Sequence, residues 1–295
     1  MLSSGEVVTF ALLSAAVIAL WVPNRRHGVG EVASPWLVLF AAAAGSAIWF
    51  GYLEFRGLAA LLLLAVLSYA VYRPRLPLAA RVVSGVGLLL VAAGLSIHLA
   101  PGFANPKVIS GEILTPGALP YTRYLNLDKT AVGLFLLAFG WRRIAAWREW
   151  REMFRRILPV VTALFAVVLP LSLVLGHVRF EPALRPHLLL WAGTNLFFTC
   201  TAEEALFRGF IQKGLERGLA SYRFGAGVSL VIAAALFGLA HLAGGWEYVL
   251  LSTLAGLGYG WAMRRSGRIE GAIATHFLVN SLHFGFFTYP ALAVQ

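Results

Sequence analysis

Long apolar runs separated by short clusters of arginine, glycine and proline pattern this chain from one end to the other. Ten runs can be drawn: 6–22, 36–53, 57–72, 82–100, 130–146, 157–176, 188–212, 225–243, 247–263 and 269–287. Each is continuous rather than alternating, which predicts membrane-spanning helices and not the strands of a barrel. The run at 57–72 is short for a span and is expected to tilt or re-enter. The predicted fold is all-α, a polytopic helical membrane protein with about ten transmembrane helices and its chemistry in the last four.

Composition agrees. Of 295 residues, 59% are apolar and 13% charged, against about 25% charged in a soluble domain. The formal charge of +11 is not the footprint of a nucleic-acid binder, because the basic residues sit in short loops between apolar runs. Taking alternate loops, seventeen of the 24 lysines and arginines fall in one set. That set holds Arg25 and Arg26; Arg73, Arg75 and Arg81; six arginines over 142–156; Lys213, Arg217 and Arg223; and Arg264, Arg265 and Arg268. The positive-inside rule places this set on the cytoplasmic side and both termini outside. The first run has no preceding positive residues and reads as a transmembrane helix, not a cleaved signal. The expected location is integral to a bacterial cytoplasmic membrane, with the lipid bilayer as a partner and no nucleic acid.

Two connections interrupt the pattern. Residues 101–128 hold four prolines and three glycines, which predicts a long irregular outer loop. Residues 141–156 (WRRIAAWREWREMFRR) set three tryptophans and Phe154 among six arginines, which predicts an interfacial helix on an anionic leaflet. This helix divides the chain into an N-terminal membrane half, 1–150, of unassigned role, and a second half, 157–295, with its core at 188–287. No internal repeat is visible.

The second half carries the candidate chemistry. Glu203 and Glu204 lie inside an apolar run, where each carboxylate costs about 2.5–3.5 kcal/mol, and Arg208 follows four residues after Glu204. At a uniform 100° per residue, Glu204 and Arg208 share a face and form an internal ion pair. Glu203 points away and is expected to lack a local cation, which makes it the stronger base. His241 closes the next run, one turn after Phe237 on the same face. His276 and Asn280 are one turn apart in the last run, and both can donate hydrogen bonds to a developing oxyanion. Gly256, Gly258 and Gly260 between them predict close helix packing. Cys200, the single cysteine, reads as a packing residue and permits no intrachain disulfide. Glu203, His241 and His276 also admit a two-histidine, one-carboxylate metal set. The favoured reading has no metal and no cofactor, because no HExxH is present. The catalytic candidates are Glu203, His241, His276 and Asn280, expected to meet in one water-sized pocket. Glu204, Arg208 and Phe237 are their structural support.

The motifs EEALFR (203–208), FGLAH (237–241) and HFLVN (276–280) resemble the EExxxR, FxxxH and HxxxN motifs of the CAAX-protease and bacteriocin-processing family of intramembrane glutamic endopeptidases. The resemblance covers about residues 188–287. It implies a glutamate-dependent protease that uses water as nucleophile without a required metal. Glu203 with His241 would activate water, His276 and Asn280 would stabilise the oxyanion, and Arg208 would orient Glu204. The implied substrate is a membrane-associated protein or peptide: a prenylated CAAX tail, a sorting tail and a leader peptide all fit. The alternatives are a non-catalytic membrane scaffold or peptide-binding immunity protein that uses the same cavity, and a proton-coupled transporter.

Overall fold

The computed structural model describes residues 2–22, 34–73 and 75–293. Arg25 and Arg26 of the first basic loop lie outside them. Each apolar run contains a helix, giving ten among the described residues: α1 (Ser4–Ala19), α2 (Pro35–Trp49), α3 (Phe55–Val71), α4 (Leu78–Ser96), α5 (Leu127–Gly140), α6 (Trp147–Val174), α7 (residues 188–218), α8 (Gly225–Leu239), α9 (Trp246–Ser266) and α10 (Ile269–Phe286). The fold is thus mainly helical, as expected. Among the described residues, α4 and α6 are long and apolar enough to cross a membrane, while α1, α2, α3 and α8 are apolar but shorter.

The chain divides into two compact units. The first comprises residues 1–108, 124–145 and 197–206; the second comprises 109–123, 146–196 and 207–295. Neither is a single stretch of sequence. Residues 197–206, within the 157–295 half, belong with the first unit, and 109–123, within the 1–150 half, with the second.

In the first unit, α5 is the central helix. It packs against α1, α3, α4 and the Thr201–Glu204 turn, and every residue from Thr130 to Leu137 is buried. A helix apolar on all sides is expected to be enclosed by others in this way. By contrast, α4 turns Val82, Val83 and Leu90 outward, each more than half exposed, as a lipid-facing helix does. A capping box starts α1: the Ser3 hydroxyl accepts from Glu6 N at 3.2 Å, and Ser3 N donates to Glu6 Oε2 at 2.6 Å.

In the second unit, α9 is central, packed on α6, α8 and α10. Its glycines permit the close approach the sequence predicts. A Cβ at Gly258 would lie 2.7 Å from Leu164 Cδ2, and one at Gly260 would lie 2.4 Å from Gln212 Oε1.

Two connections differ from expectation. The 101–128 stretch is not irregular throughout: Lys107–Glu112 (β1) and Tyr121–Tyr124 (β2) pair as a two-stranded sheet. The β-branched Ile109 and the aromatic Tyr121 provide the reason, because they are buried with Trp191 and Phe284 in one core cluster. The helix expected over 141–156 begins only at Trp147, and Trp141 and Ala146 are extended. Here Arg143 ends α5 instead of continuing a helix. Its Nη1 donates to the carbonyls of Leu137, Ala138 and Trp141 at 2.8, 3.3 and 2.9 Å, satisfying groups that a helix end leaves open. The arginine-rich stretch from Trp147 onward forms the first turns of the 28-residue α6. This helix is about 42 Å long at 1.5 Å per residue.

Candidate functional site

The glutamate motif lies on an irregular stretch of α7. Asn195–Cys200 and Ala205–Gln212 are π-helical, and the turn between them, Thr201–Glu204, is α. In π geometry the bonds run from i to i+5, so each residue turns the chain less than in an α-helix. The uniform 100° step used to place Glu204 against Arg208 therefore does not hold across this segment. Both residues are fully buried, as is Cys200. π-Helical turns recur where a side chain must be aimed at a site.

Within the first unit, the expectation that Glu203 lacks a local cation is overturned. Lys129 Nζ, from the first turn of α5, donates to Glu203 Oε1 at 2.6 Å. The two side chains are only 17% and 11% exposed, so this is a largely desolvated ion pair. Lys129 is 74 residues away, beyond the reach of a pattern read along one helix. The available signal was its place next to Asp128 at the entry to the apolar run TAVGLFLLAFG.

Asp128, beside it, is fully buried. Asp128 Oδ2 lies 2.7 Å from His98 Nδ1, and Asp128 Oδ1 accepts from Asn105 Nδ2 at 3.0 Å and from Lys129 N at 2.8 Å. Asn105 Oδ1 accepts from Leu127 N at 3.0 Å. Three side chains thus fix the first turn of α5. One turn further on, Gly133 lies against the glutamate turn: a Cβ there would sit 2.7 Å from Ala202 Cα and 2.9 Å from Ala202 N.

The second unit holds both motif histidines, the asparagine and Arg208. Phe237 touches both imidazoles. Its ring centroid lies 4.6 Å from that of His241 and 5.7 Å, edge-on, from that of His276. His241 Nδ1 lies 2.8 Å from Phe237 O. A carbonyl only accepts, so Nδ1 carries the proton and Nε2 is the basic nitrogen of the neutral ring. His276 is 4% exposed and lies flat on Tyr259, with centroids 4.4 Å apart and planes at 12°. The Arg208 guanidinium lies 4.9 Å from the centre of the Phe237 ring, a cation–π contact. Asn280 Nδ2 donates to Asn195 Oδ1 at 3.3 Å. Asn195 is 4% exposed and opens the first π segment.

Sequence reasoning singled out neither Asn195 nor Tyr259. Asn195, a lone amide in the run LLLWAGTNLFF, was the readable signal; Tyr259, in GLGYGWAM, offered none. Among the described residues, no group of three or more His, Cys, Asp or Glu side chains is gathered as a metal-binding cluster.

Comparison with known proteins adds one result. A family model described as Type II CAAX prenyl endopeptidase Rce1-like matches residues 185–282, about a third of the chain. No curated protein and no solved structure matches. The matched segment contains EEALFR, FGLAH and HFLVN entire, so over residues 185–282 the match supports the likeness to the CAAX-protease family.

Proposed function

We infer that this protein is an intramembrane endopeptidase of the glutamate type, its ten helices lying in the bilayer. It hydrolyses a peptide bond in a membrane-associated protein or peptide. The observation that carries this reading is the family match across all three motifs. In the proposed reaction, Glu203 and His241 take a proton from water, and the resulting hydroxide adds to the scissile carbonyl carbon. The carbonyl π electrons move to oxygen, where His276 and Asn280 donate hydrogen bonds to the oxyanion. Collapse of the tetrahedral intermediate breaks the C–N bond. The leaving nitrogen takes the proton from the acid–base pair, giving a carboxylic acid and an amine, which ionise to carboxylate and ammonium.

The local geometry suits these roles. The bond to the Phe237 carbonyl fixes the His241 tautomer with Nε2 as the acceptor. Asn195 accepts an amide hydrogen of Asn280, a contact that helps orient the group. The flat stack of His276 on Tyr259 restricts rotation of a ring whose hydrogen bond must be aimed in advance. The arginines of the first turns of α6, with Trp147 and Phe154 exposed beside them, suit the cytoplasmic face of a bilayer.

The test uses the purified full-length protein in lipid nanodiscs and a peptide ending in a prenylated CAAX sequence. Mass spectrometry should detect release of the residues after the prenylated cysteine with wild type and not with Glu203→Gln. Comparing peptide termini in cell envelopes carrying wild type or Glu203→Ala extends the test to sorting tails and leader peptides. If neither experiment finds a terminus that depends on Glu203, the protease reading is lost and a peptide-binding scaffold takes its place.

A further inference from the structure

Lys129 lies outside the segment matched by the family and outside every motif in the sequence. We propose that it is a positioning residue for Glu203, holding the carboxylate ionised and in one orientation for proton abstraction. This inference rests on the reading of Glu203 as the base.

The pair is short, at 2.6 Å, and largely enclosed. In such surroundings a carboxylate without a cation would take up a proton and lose its basic form. An ammonium in contact reverses that preference. Of the charged groups nearest Glu203 in the first unit, Glu204 follows it on α7 and disfavours a second negative charge. Asp128 is committed to His98 and Asn105. Lys129 places its ammonium directly on Glu203 Oε1.

Lys129 also stands at an unfavourable place for helix stability. It is in the first turn of α5, where the helix dipole disfavours positive charge. Asp128 precedes it and offsets the dipole. Helix formation does not account for a partly buried lysine here, whereas its contact with Glu203 does.

Its surroundings are built to hold the distance. Lys129 and Gly133 are one turn apart and share a face of α5. One meets Glu203 and the other meets Ala202. The hydrogen bonds of Asn105 and Asp128 to the backbone of Leu127 and Lys129 prevent the end of α5 from fraying. Misplacement of a reacting group by about 1 Å can lower the rate about 100-fold, so a fixed anchor matters more here than in a surface ion pair.

The test compares wild type, Lys129→Met, Lys129→Arg, Glu203→Gln and the double variant Lys129→Met with Glu203→Gln, all full length in nanodiscs. Two readouts are taken: kcat and KM on the prenylated CAAX peptide, and the Glu203 carboxyl signal, isolated at neutral pH by infrared difference against the matching Glu203→Gln protein. Lys129→Met should lower kcat about 100-fold with KM nearly unchanged and convert the Glu203 signal from carboxylate to carboxylic acid. Lys129→Arg keeps the charge but moves it; it should fold as wild type, keep the carboxylate signal and recover part of kcat. A purely structural lysine would leave the infrared signal unmoved and kcat intact in whichever variant folds. The proposal is overturned if Lys129→Met, or Lys129→Arg where the former does not fold, turns over as wild type while Glu203→Gln is inactive. If Glu203→Gln itself cleaves normally, the glutamate-base reading fails instead. If the peptide is not cleaved by wild type, the infrared signal decides alone, and a carboxylate that persists in Lys129→Met overturns the proposal.

Discussion

The two regions that hold the candidate chemistry are built on different physics. Around Glu203 the order comes from charge: a 2.6 Å ion pair, a helix start held by Asp128 and Asn105, and a glycine pressed on the backbone of Ala202. Around His241 and His276 the order comes from rings: Phe237 in contact with both imidazoles, Tyr259 stacked on one of them, and Arg208 over Phe237. A carboxylate that must stay ionised away from water requires a counter-charge. A neutral imidazole requires only a fixed tautomer and a fixed plane, which a carbonyl and aromatic faces supply. The charged region should therefore fail abruptly when one charge is removed, and the aromatic region gradually.

The largest effect that sharpens this contrast is expected from Glu203→Gln. Its kcat should fall by about 100- to 10,000-fold, the range for loss of a general base. Because Lys129 is then left without its carboxylate, folding should suffer as well, by about 3–5 kcal/mol for a broken buried pair. Adding Lys129→Met should restore most of the melting temperature and none of the cleavage. A single variant that melts as wild type would show that the pair contributes little to folding.

Next in size is Asn280→Ala, which should lower kcat about 100- to 1,000-fold while a cleavage-resistant peptide binds as before. Asn195→Ala removes a contact that orients Asn280, not the donor itself, and should lose less. Weakened peptide binding with normal turnover would instead identify Asn280 as a substrate anchor.

A purely steric test of the charged region is Gly133→Val. Overpacking against the Ala202 backbone should cost about 1–3 kcal/mol, read as a lower melting temperature in detergent. Gly193→Ala, at a position with open space around it, should melt as wild type or slightly higher. Equal melting of the two variants would show that α5 is free to shift away.

The smallest effect is expected on the aromatic side. Phe237→Leu keeps an apolar side chain but loses its ring contacts, worth about 0.5–1.5 kcal/mol each. NMR of the two imidazoles should show broader averaging of ring orientation, with modest loss of stability. A collapse as severe as that of Glu203→Gln would remove the distinction between the regions.

Hydropathy marked the ten helices because each is a continuous apolar run, and it misplaced ends where polar contacts decide them. Trp141–Ala146 is the example: arginine and tryptophan content favoured a helix, and the Arg143 side chain capped α5 instead. The sheet at 107–124 was hidden by its prolines and glycines, while its strands depend on burying Ile109 and Tyr121 in a distant cluster. At the candidate site, the three motifs were legible as residue types and spacings. Lys129 was not, because the ion pair is a long-range contact and no local periodicity encodes it. The π-helical turns were missed for a related reason: the bond register from Asn195 to Gln212 follows from packing around the helix, and NLFFTCTAEEALFRGFIQ is also compatible with a regular α-helix.

The assignment of residues 197–206 to the same compact unit as α1–α5 bears on modularity. The stretch recognisable by its motifs, 185–282, is not a portable cassette. Grafted into another scaffold, it would carry Glu203 but neither the lysine that neutralises it nor the glycine bed on which Ala202 rests. A successful transplant would have to bring α5 along, with the loop residues Asn105 and His98 that fix its first turn.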